Sequence, residues 1–126
     1  MKIPRIVLAG TASGVGKTSI TAAIIHGIKK KGYSVQPFKV GPDFIDPSYL
    51  TTVSGKSARN LDPWLMGTSG IVKSFVKNFD SDFSVIEGVM GYYDGFSGDS
   101  NYSSTHHVAS ILKTPVILVL DASKTA

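Results

Sequence analysis

The chain has 126 residues, 42% of them apolar, a formal net charge of +4 and no cysteine. That is enough for one domain with its own core and too apolar for a disordered segment, while the missing cysteines exclude disulfides, thiolate metal sites and a cysteine nucleophile within it. No apolar run approaches the roughly eighteen residues of a membrane helix, and Met1 to Pro4 leads into a strand-like run with no signal-peptide pattern, so a cytoplasmic protein is expected.

Ile3 to Ala9 reads as a short buried strand, followed by the glycine-rich segment Gly10 to Gly16. Lys17 to Lys31 reads as a helix, with Ile20, Ala23, Ile24, Gly27 and Ile28 on its buried face. Lys29, Lys30 and Lys31 precede Gly32, where cations offset the negative helix end and glycine suits the cap; that reading is preferred to a nucleic-acid patch. Val35 to Val40 is a second strand, broken by Gly41-Pro42-Asp43. Tyr49 to Ser54 is a short helix candidate, and Thr68 to Asn78 another, with Ile71, Val72, Phe75 and Val76 on one face. Phe83 to Ile86 is a third strand, ending at Glu87-Gly88. A polar, glycine-rich loop from Gly91 to Asn101 precedes a helix at Thr105 to Leu112, and Pro115 to Leu120 is a fourth, buried strand.

Strands that are apolar throughout and alternate with helices predict an α/β fold of the P-loop NTPase kind: a mainly parallel sheet with helices on both faces. Ligands of such sheets bind at the carboxyl ends of the strands. The polar segments Gly10 to Thr18, Lys39 to Asp46, Glu87 to Asp94 and Asp121 all fall there. Such domains usually continue through further strand–helix units, so residues 1–126 are expected to be the N-terminal piece of a longer protein.

Gly10-Thr11-Ala12-Ser13-Gly14-Val15-Gly16-Lys17-Thr18 has the chemistry of a phosphate-binding loop. Glycines let backbone N–H groups curl around a phosphate, and the helix N-terminus adds a favourable dipole. The loop is one residue longer than the common spacing, with its first glycine at position 10. Thr11 to Ser19, that is Thr11, Ala12, Ser13, Gly14, Val15, Gly16, Lys17, Thr18 and Ser19, are the expected ATP-binding residues. Lys17 reaches the outer phosphates, and the Thr18 hydroxyl, Asp43 and Glu87 are the candidate Mg2+ ligands, since magnesium on a triphosphate wants oxygen donors and few carboxylates. Asp46 and Asp94 are either turn or site residues by position alone. Ser103, Ser104 and Thr105 are either helix caps or contacts to an anionic substrate. Phe44, Tyr49, Trp64, Tyr92, Tyr93, Phe96 and Tyr102 crowd the loops; packing is expected for Trp64, beside Leu61 and Leu65, and others can line a pocket for a large flat ligand.

Taken with Lys39-Val40-Gly41-Pro42-Asp43-Phe44-Ile45-Asp46-Pro47, Arg59-Asn60-Leu61-Asp62-Pro63-Trp64-Leu65-Met66, Glu87-Gly88-Val89-Met90-Gly91-Tyr92-Tyr93-Asp94-Gly95 and Val116-Ile117-Leu118-Val119-Leu120-Asp121-Ala122, the loop resembles the N-terminal synthetase domain of the cobyrinic acid and nickel-sirohydrochlorin a,c-diamide synthases, a dethiobiotin synthetase-like P-loop fold. The resemblance spans essentially the whole chain. It implies ATP-dependent amidation of the a- and c-acetate carboxylates of a tetrapyrrole through an acyl phosphate. Ammonia would come from glutamine in a glutaminase domain that these residues do not include. Lys17, Asp46 and Asp94 take catalytic roles by this resemblance, and Lys39, Phe44, Ile45, Tyr49, Ser103, Ser104 and Thr105 contact substrate. Phe44 replaces a common tyrosine and Tyr49 a frequent histidine. The implied partners are the tetrapyrrole and the ammonia source, with no nucleic acid and no membrane and with room for a homodimer. The competing reading is a partition or regulatory P-loop ATPase acting through a protein or DNA partner. Such proteins carry a second lysine where this chain has Ala12, and they lack the Gly41 to Pro47 segment.

Overall fold

The computed structural model describes residues 1–12, 14–43, 46–95 and 104–124, with Asp46 and Lys124 described by backbone alone. The continuous apolar runs become strands β1 (Arg5–Gly10), β2 (Val35–Val40), β4 (Phe83–Gly91) and β5 (Val116–Val119). A further three-residue strand, β3 (Arg59–Leu61), follows β2 in sequence. All neighbours pair in parallel, in the order β3-β2-β4-β1-β5. The α/β class and the parallel sheet are therefore as expected, with five strands instead of four.

Helices α1 (Lys17–Lys30), α2 (Asp46–Ser54), α3 (Pro63–Asn78) and α4 (Thr105–Leu112) cover the two faces. Alternate strand residues point opposite ways, so neighbours feed different cores. Leu8, Val35 and Val85 pack with Ile25 of α1 and Leu50 of α2. Val7, Ala9, Phe38, Val40 and Ile86 pack with Ile71 and Phe75 of α3 and Val108 and Leu112 of α4. The Phe38 and Phe75 rings meet at 4.9 Å, a tilted contact typical of aromatic cores.

Several expectations are corrected. On α1 the buried residues are Thr21, Ala22 and Ile25, while Ile20, Ala23 and Gly27 are exposed. Ile24 and Ile28 pack against the core as expected, but the centre of the face is shifted, because Thr21 is buried with its hydroxyl donating to the Lys17 carbonyl at 2.7 Å. On α3 Ile71 and Phe75 are buried, but Val76 is half exposed. The expected helix from Thr68 to Asn78 forms, and a short helical stretch from Pro63 precedes it across a kink at Gly67. Asp62 accepts from the Trp64 N–H at 3.1 Å, and Gly67 interrupts the helix at φ 69°. Trp64 and Leu65 are more than half exposed, so neither is a core residue, in contrast to buried Leu61. β5 pairs only with β1 among the described residues and leaves Ile117, Leu118 and Leu120 exposed, unlike the buried strand expected there. No helix among the described residues is long and apolar enough to cross a membrane.

Candidate nucleotide site

The carboxyl ends of β1, β2 and β4 bound a cavity of about 440 Å³, lined by the loop residues Gly14, Gly16, Lys17, Thr18 and Ser19 together with Lys39, Asp43, Val89 and Met90. Gly14 and Gly16 have φ of 76° and 91°, conformations that glycine adopts without strain, and both face open space. Gly10 is required for another reason. A Cβ there would lie 2.9 Å from Val15 Cγ2 and 3.0 Å from the Ala12 carbonyl, so the loop folds back on it. This accounts for the glycine standing one position early.

Not every residue of the expected phosphate-binding run faces the cavity. The Thr11 N–H donates to the Val119 carbonyl at 3.2 Å and so extends the β1–β5 pairing. Thr11 lines a smaller cavity of about 160 Å³ with Gly91, Tyr92, Tyr93, Asp94 and Leu118. Ala12 and Val15 lie outside the lining of the larger cavity, and Ser13 lies outside the described residues. Lys17 leads α1 and its Nζ donates to the Met90 carbonyl at 3.2 Å. Met90 has φ of 49°, an uncommon value for a residue other than glycine, and this conformation occurs in a residue whose carbonyl receives that ammonium.

The expected metal donors come together. Thr18 Oγ1 donates to Glu87 Oε1 at 2.8 Å. Glu87 lies within β4, four residues before its end, because the strand continues past the expected stop at Ile86 through Gly91. Lys39 of β2 is the register partner of Glu87, so both side chains leave the same face of the sheet. Lys39 Nζ donates to the Gly88 carbonyl at 2.8 Å and stands 3.9 Å from Glu87 Oε2 and 4.0 Å from Asp43 Oδ2. Lys39 is 2% exposed and Glu87 fully buried, whereas Asp43 is partly open. A hydroxyl and two carboxylates beside this cavity form an all-oxygen donor set with few carboxylates, which fits a magnesium ion shared with a triphosphate.

Asn60 of β3 was not foreseen as a site residue. Its side-chain amide donates to the Gly41 carbonyl at 2.7 Å and the Asp43 carbonyl at 2.9 Å, pinning the loop that presents Asp43. The only sequence signal was its place in the Arg59 to Met66 segment.

Other expected site residues fall elsewhere. Ser104 and Thr105 are buried and committed to the fold. Ser104 caps α4 by accepting from the His107 N–H at 3.0 Å. The Thr105 hydroxyl accepts from the Val89 N–H at 2.9 Å and donates to the Val89 carbonyl at 3.2 Å. The cap reading holds for Ser104, whereas the Thr105 hydroxyl ties α4 to β4. Asp94 Oδ2 accepts from the Gly91 N–H at 2.9 Å and closes a turn, leaving the residue exposed at the β4 end. Tyr49 is half exposed on α2. Phe44, Ile45, Phe96, Tyr102, Ser103 and the Asp46 side chain lie outside the described residues. Tyr92, Tyr93 and His106 form a ring cluster with centroids 4.9 to 5.2 Å apart, and Tyr93 is mostly exposed. Burial raises the Tyr92 pKa, with Tyr93 adding to it; burial lowers that of His107, with His106 adding to it.

A parallel α/β sheet with this loop between β1 and α1, and with lysine, hydroxyl and carboxylates gathered around one cavity, defines a P-loop nucleotide-binding domain. Residues 6–120 match the CbiA family, described as the CobQ/CobB/MinD/ParA nucleotide binding domain, and the chain belongs to that family. It is 47% identical over 122 residues to the cobyrinate a,c-diamide synthase of Leptospira interrogans serovar copenhageni, covering 96% of this chain and 27% of that protein. It is 44% identical over 125 residues to the protein of that name from Archaeoglobus fulgidus, covering 98% of this chain and 27% of that one. With the Halobacterium salinarum protein of that name it shares 51% identity over 118 residues, 94% of this chain and 25% of that one. The chain thus spans about a quarter of the length of these relatives.

Proposed function

We propose that this chain is the ATP-binding part of a tetrapyrrole a,c-diamide synthase acting on cobyrinate. The observation that carries this reading is the joining of Lys17, Thr18, Lys39 and Asp43 around one cavity, with Glu87 held behind it against Thr18 and Lys39, in a chain that resembles cobyrinate a,c-diamide synthases over nearly its whole length. The loop N–H groups and Lys17 bind and orient the ATP phosphates and offset charge on the transferring phosphoryl group. Thr18, Asp43 and Glu87 would hold magnesium, which when bound neutralises phosphate charge.

A substrate acetate carboxylate attacks the γ-phosphorus as the bond to ADP breaks, giving an acyl phosphate. Ammonia then attacks the acyl carbon, phosphate leaves and a proton is lost, giving the amide. In the intact protein the ammonia is drawn from glutamine. The Asp94 turn holds the exposed Tyr93 ring at the same strand end, an aromatic surface on which a flat tetrapyrrole can stack. Ala12, where partition ATPases of the same family carry a lysine, supports amidation over partitioning.

The test is mass spectrometry of the intact protein with ATP, magnesium, ammonia or glutamine, and either cobyrinic acid or nickel-sirohydrochlorin. Each amidation replaces hydroxyl by amine and lowers the product mass by about one unit, in step with ADP release. ATP hydrolysis that neither tetrapyrrole stimulates, with no mass change in either, would rule the reading out. Conversion of the nickel compound alone would reassign the substrate.

A further inference from the structure

Lys39 has a setting that binding of a triphosphate does not by itself explain. It is a lysine buried to 2% exposure between the two carboxylates assigned to the metal. Its Nζ is anchored on the Gly88 carbonyl at 2.8 Å, and both carboxylate oxygens stay at about 4 Å, at 3.9 Å for Glu87 and 4.0 Å for Asp43. The ammonium therefore acts on the pair as a compact point charge held at a distance. Register fixes this placement: Lys39 and Glu87 are direct partners on β2 and β4, and Asp43 is one short loop beyond β2, with that loop pinned by Asn60.

We propose that Lys39 is a resident cation that disfavours divalent metal at Asp43 and Glu87 until a triphosphate is bound, so that metal binding is strongly coupled to nucleotide. The proposal rests on the metal reading of Thr18, Asp43 and Glu87. Magnesium binds its oxygen donors at about 2.1 Å. An ion reaching both carboxylates would therefore enter the space those oxygens share with the ammonium, in a buried setting where repulsion is weakly screened. Triphosphate changes the balance in two ways. Its oxygens supply negative charge and further metal ligands. Lys39 also lines the same cavity as Gly14 to Ser19, so its head can turn toward the phosphates. Lys39 is thus a positioning residue that acts through the order in which the site fills. By linkage, any factor by which nucleotide tightens metal is the factor by which metal tightens nucleotide.

The test uses Mn2+ as the probe ion, followed by electron paramagnetic resonance and calorimetry on the intact protein, with and without a non-hydrolysable ATP analogue. Lys39→Met removes the charge and keeps an apolar stem. It is expected to bind Mn2+ alone at least tenfold more tightly than wild type, and the factor by which the analogue tightens Mn2+ is expected to fall correspondingly. Lys39→Arg keeps the charge and should leave Mn2+ alone as weak as in wild type. If Lys39→Met fails to fold, Lys39→Gln, which retains a donor for the Gly88 carbonyl, carries the same expectation. A folded neutral variant that binds Mn2+ alone no better than wild type overturns the proposal. Glu87→Gln separates that failure from failure of the metal reading. If it leaves Mn2+ binding in the presence of the analogue unchanged, the metal assignment is wrong and the proposal falls with it. If it weakens that binding while the neutral Lys39 variants change nothing, the metal assignment stands and the gating role alone is refuted.

Discussion

Gly88 lies one residue past Glu87, at the closest approach of β4 to α4, and Gly88→Ala tests how tightly that strand end is held. A Cβ there would meet Thr105 Cγ2 at 2.7 Å, Thr105 Oγ1 at 2.8 Å and the Leu8 carbonyl at 3.0 Å. The Leu8 carbonyl belongs to β1, which is paired with β4, so it cannot retreat without breaking the ladder. Thr105 must move, and with it goes the clamp on the Val89 N–H. Overpacking of this kind costs about 1–3 kcal/mol. Losing the clamp adds about 1 kcal/mol. The sum, about 2–4 kcal/mol, is a large share of a typical domain stability of about 5–15 kcal/mol. For a chain of this size it corresponds to a fall in Tm of roughly 8–16 °C. The assay is urea and thermal denaturation followed by circular dichroism. Thr105→Ala removes the two nearest clashing atoms, so the double variant should be more stable than the summed single effects by about 1 kcal/mol or more. A Gly88→Ala protein melting within about 2 °C of wild type, or strictly additive effects, would refute the close-approach argument.

Lys17→Ala should weaken ATP binding by about 10- to 100-fold with an unchanged circular dichroism spectrum; equal affinity in a calorimetric titration would remove Lys17 from the phosphate site. Asn60→Ala loses both loop contacts and should destabilise the protein by about 1–3 kcal/mol in urea, with a larger fall in metal-dependent turnover than in stability-matched core variants. If turnover tracks stability alone, Asn60 does not position Asp43. Asp82 has its pKa lowered by hydrogen bonds from the Ser34 backbone N–H and hydroxyl, with Lys56 adding to it. A carboxylate with a lower pKa folded than unfolded stabilises the fold above its unfolded pKa, and that contribution fades as pH falls through the folded value. Asp82→Asn should therefore be less stable than wild type at neutral pH, and the gap should close below about pH 4; a gap independent of pH would contradict this.

The sheet and its ligand-bearing edge were legible because parallel strands leave continuous apolar runs, as in Ile6 to Ala9; the run Val116 to Leu120 marks a strand too, although most of it is exposed. β3 was not, because three residues are too few for any period to show. The centre of the α1 face was misjudged because burial of Thr21 depends on a backbone partner one turn earlier, which periodicity does not register. Within the site, Lys17, Thr18, Asp43 and Glu87 were legible from their places after strands. The roles of Lys39, Asn60 and Thr105 depend on cross-strand register and on helix approach, which emerge only when the chain is folded.

β4 is the strand that sets these parts against one another. Five consecutive residues each make a different connection. The Glu87 carboxylate receives the Thr18 hydroxyl, and the Gly88 carbonyl receives the Lys39 ammonium. Val89 is held on both its N–H and its carbonyl by Thr105, the Met90 carbonyl receives Lys17, and the Gly91 N–H is capped by Asp94. Side chains alternate along a strand, so a slip of one residue in the β4 register would turn Glu87 toward α4 and bring Gly88 beneath α1. The phosphate loop, the Asp43 loop, α4 and the Asp94 turn are thus aligned through one stretch of backbone. The apolar partners on either side of it, Val85 in one core and Ile86 in the other, hold that register against slipping. The geometry that presents charge to a phosphate is therefore enforced by burial of the residues just before it in the same strand.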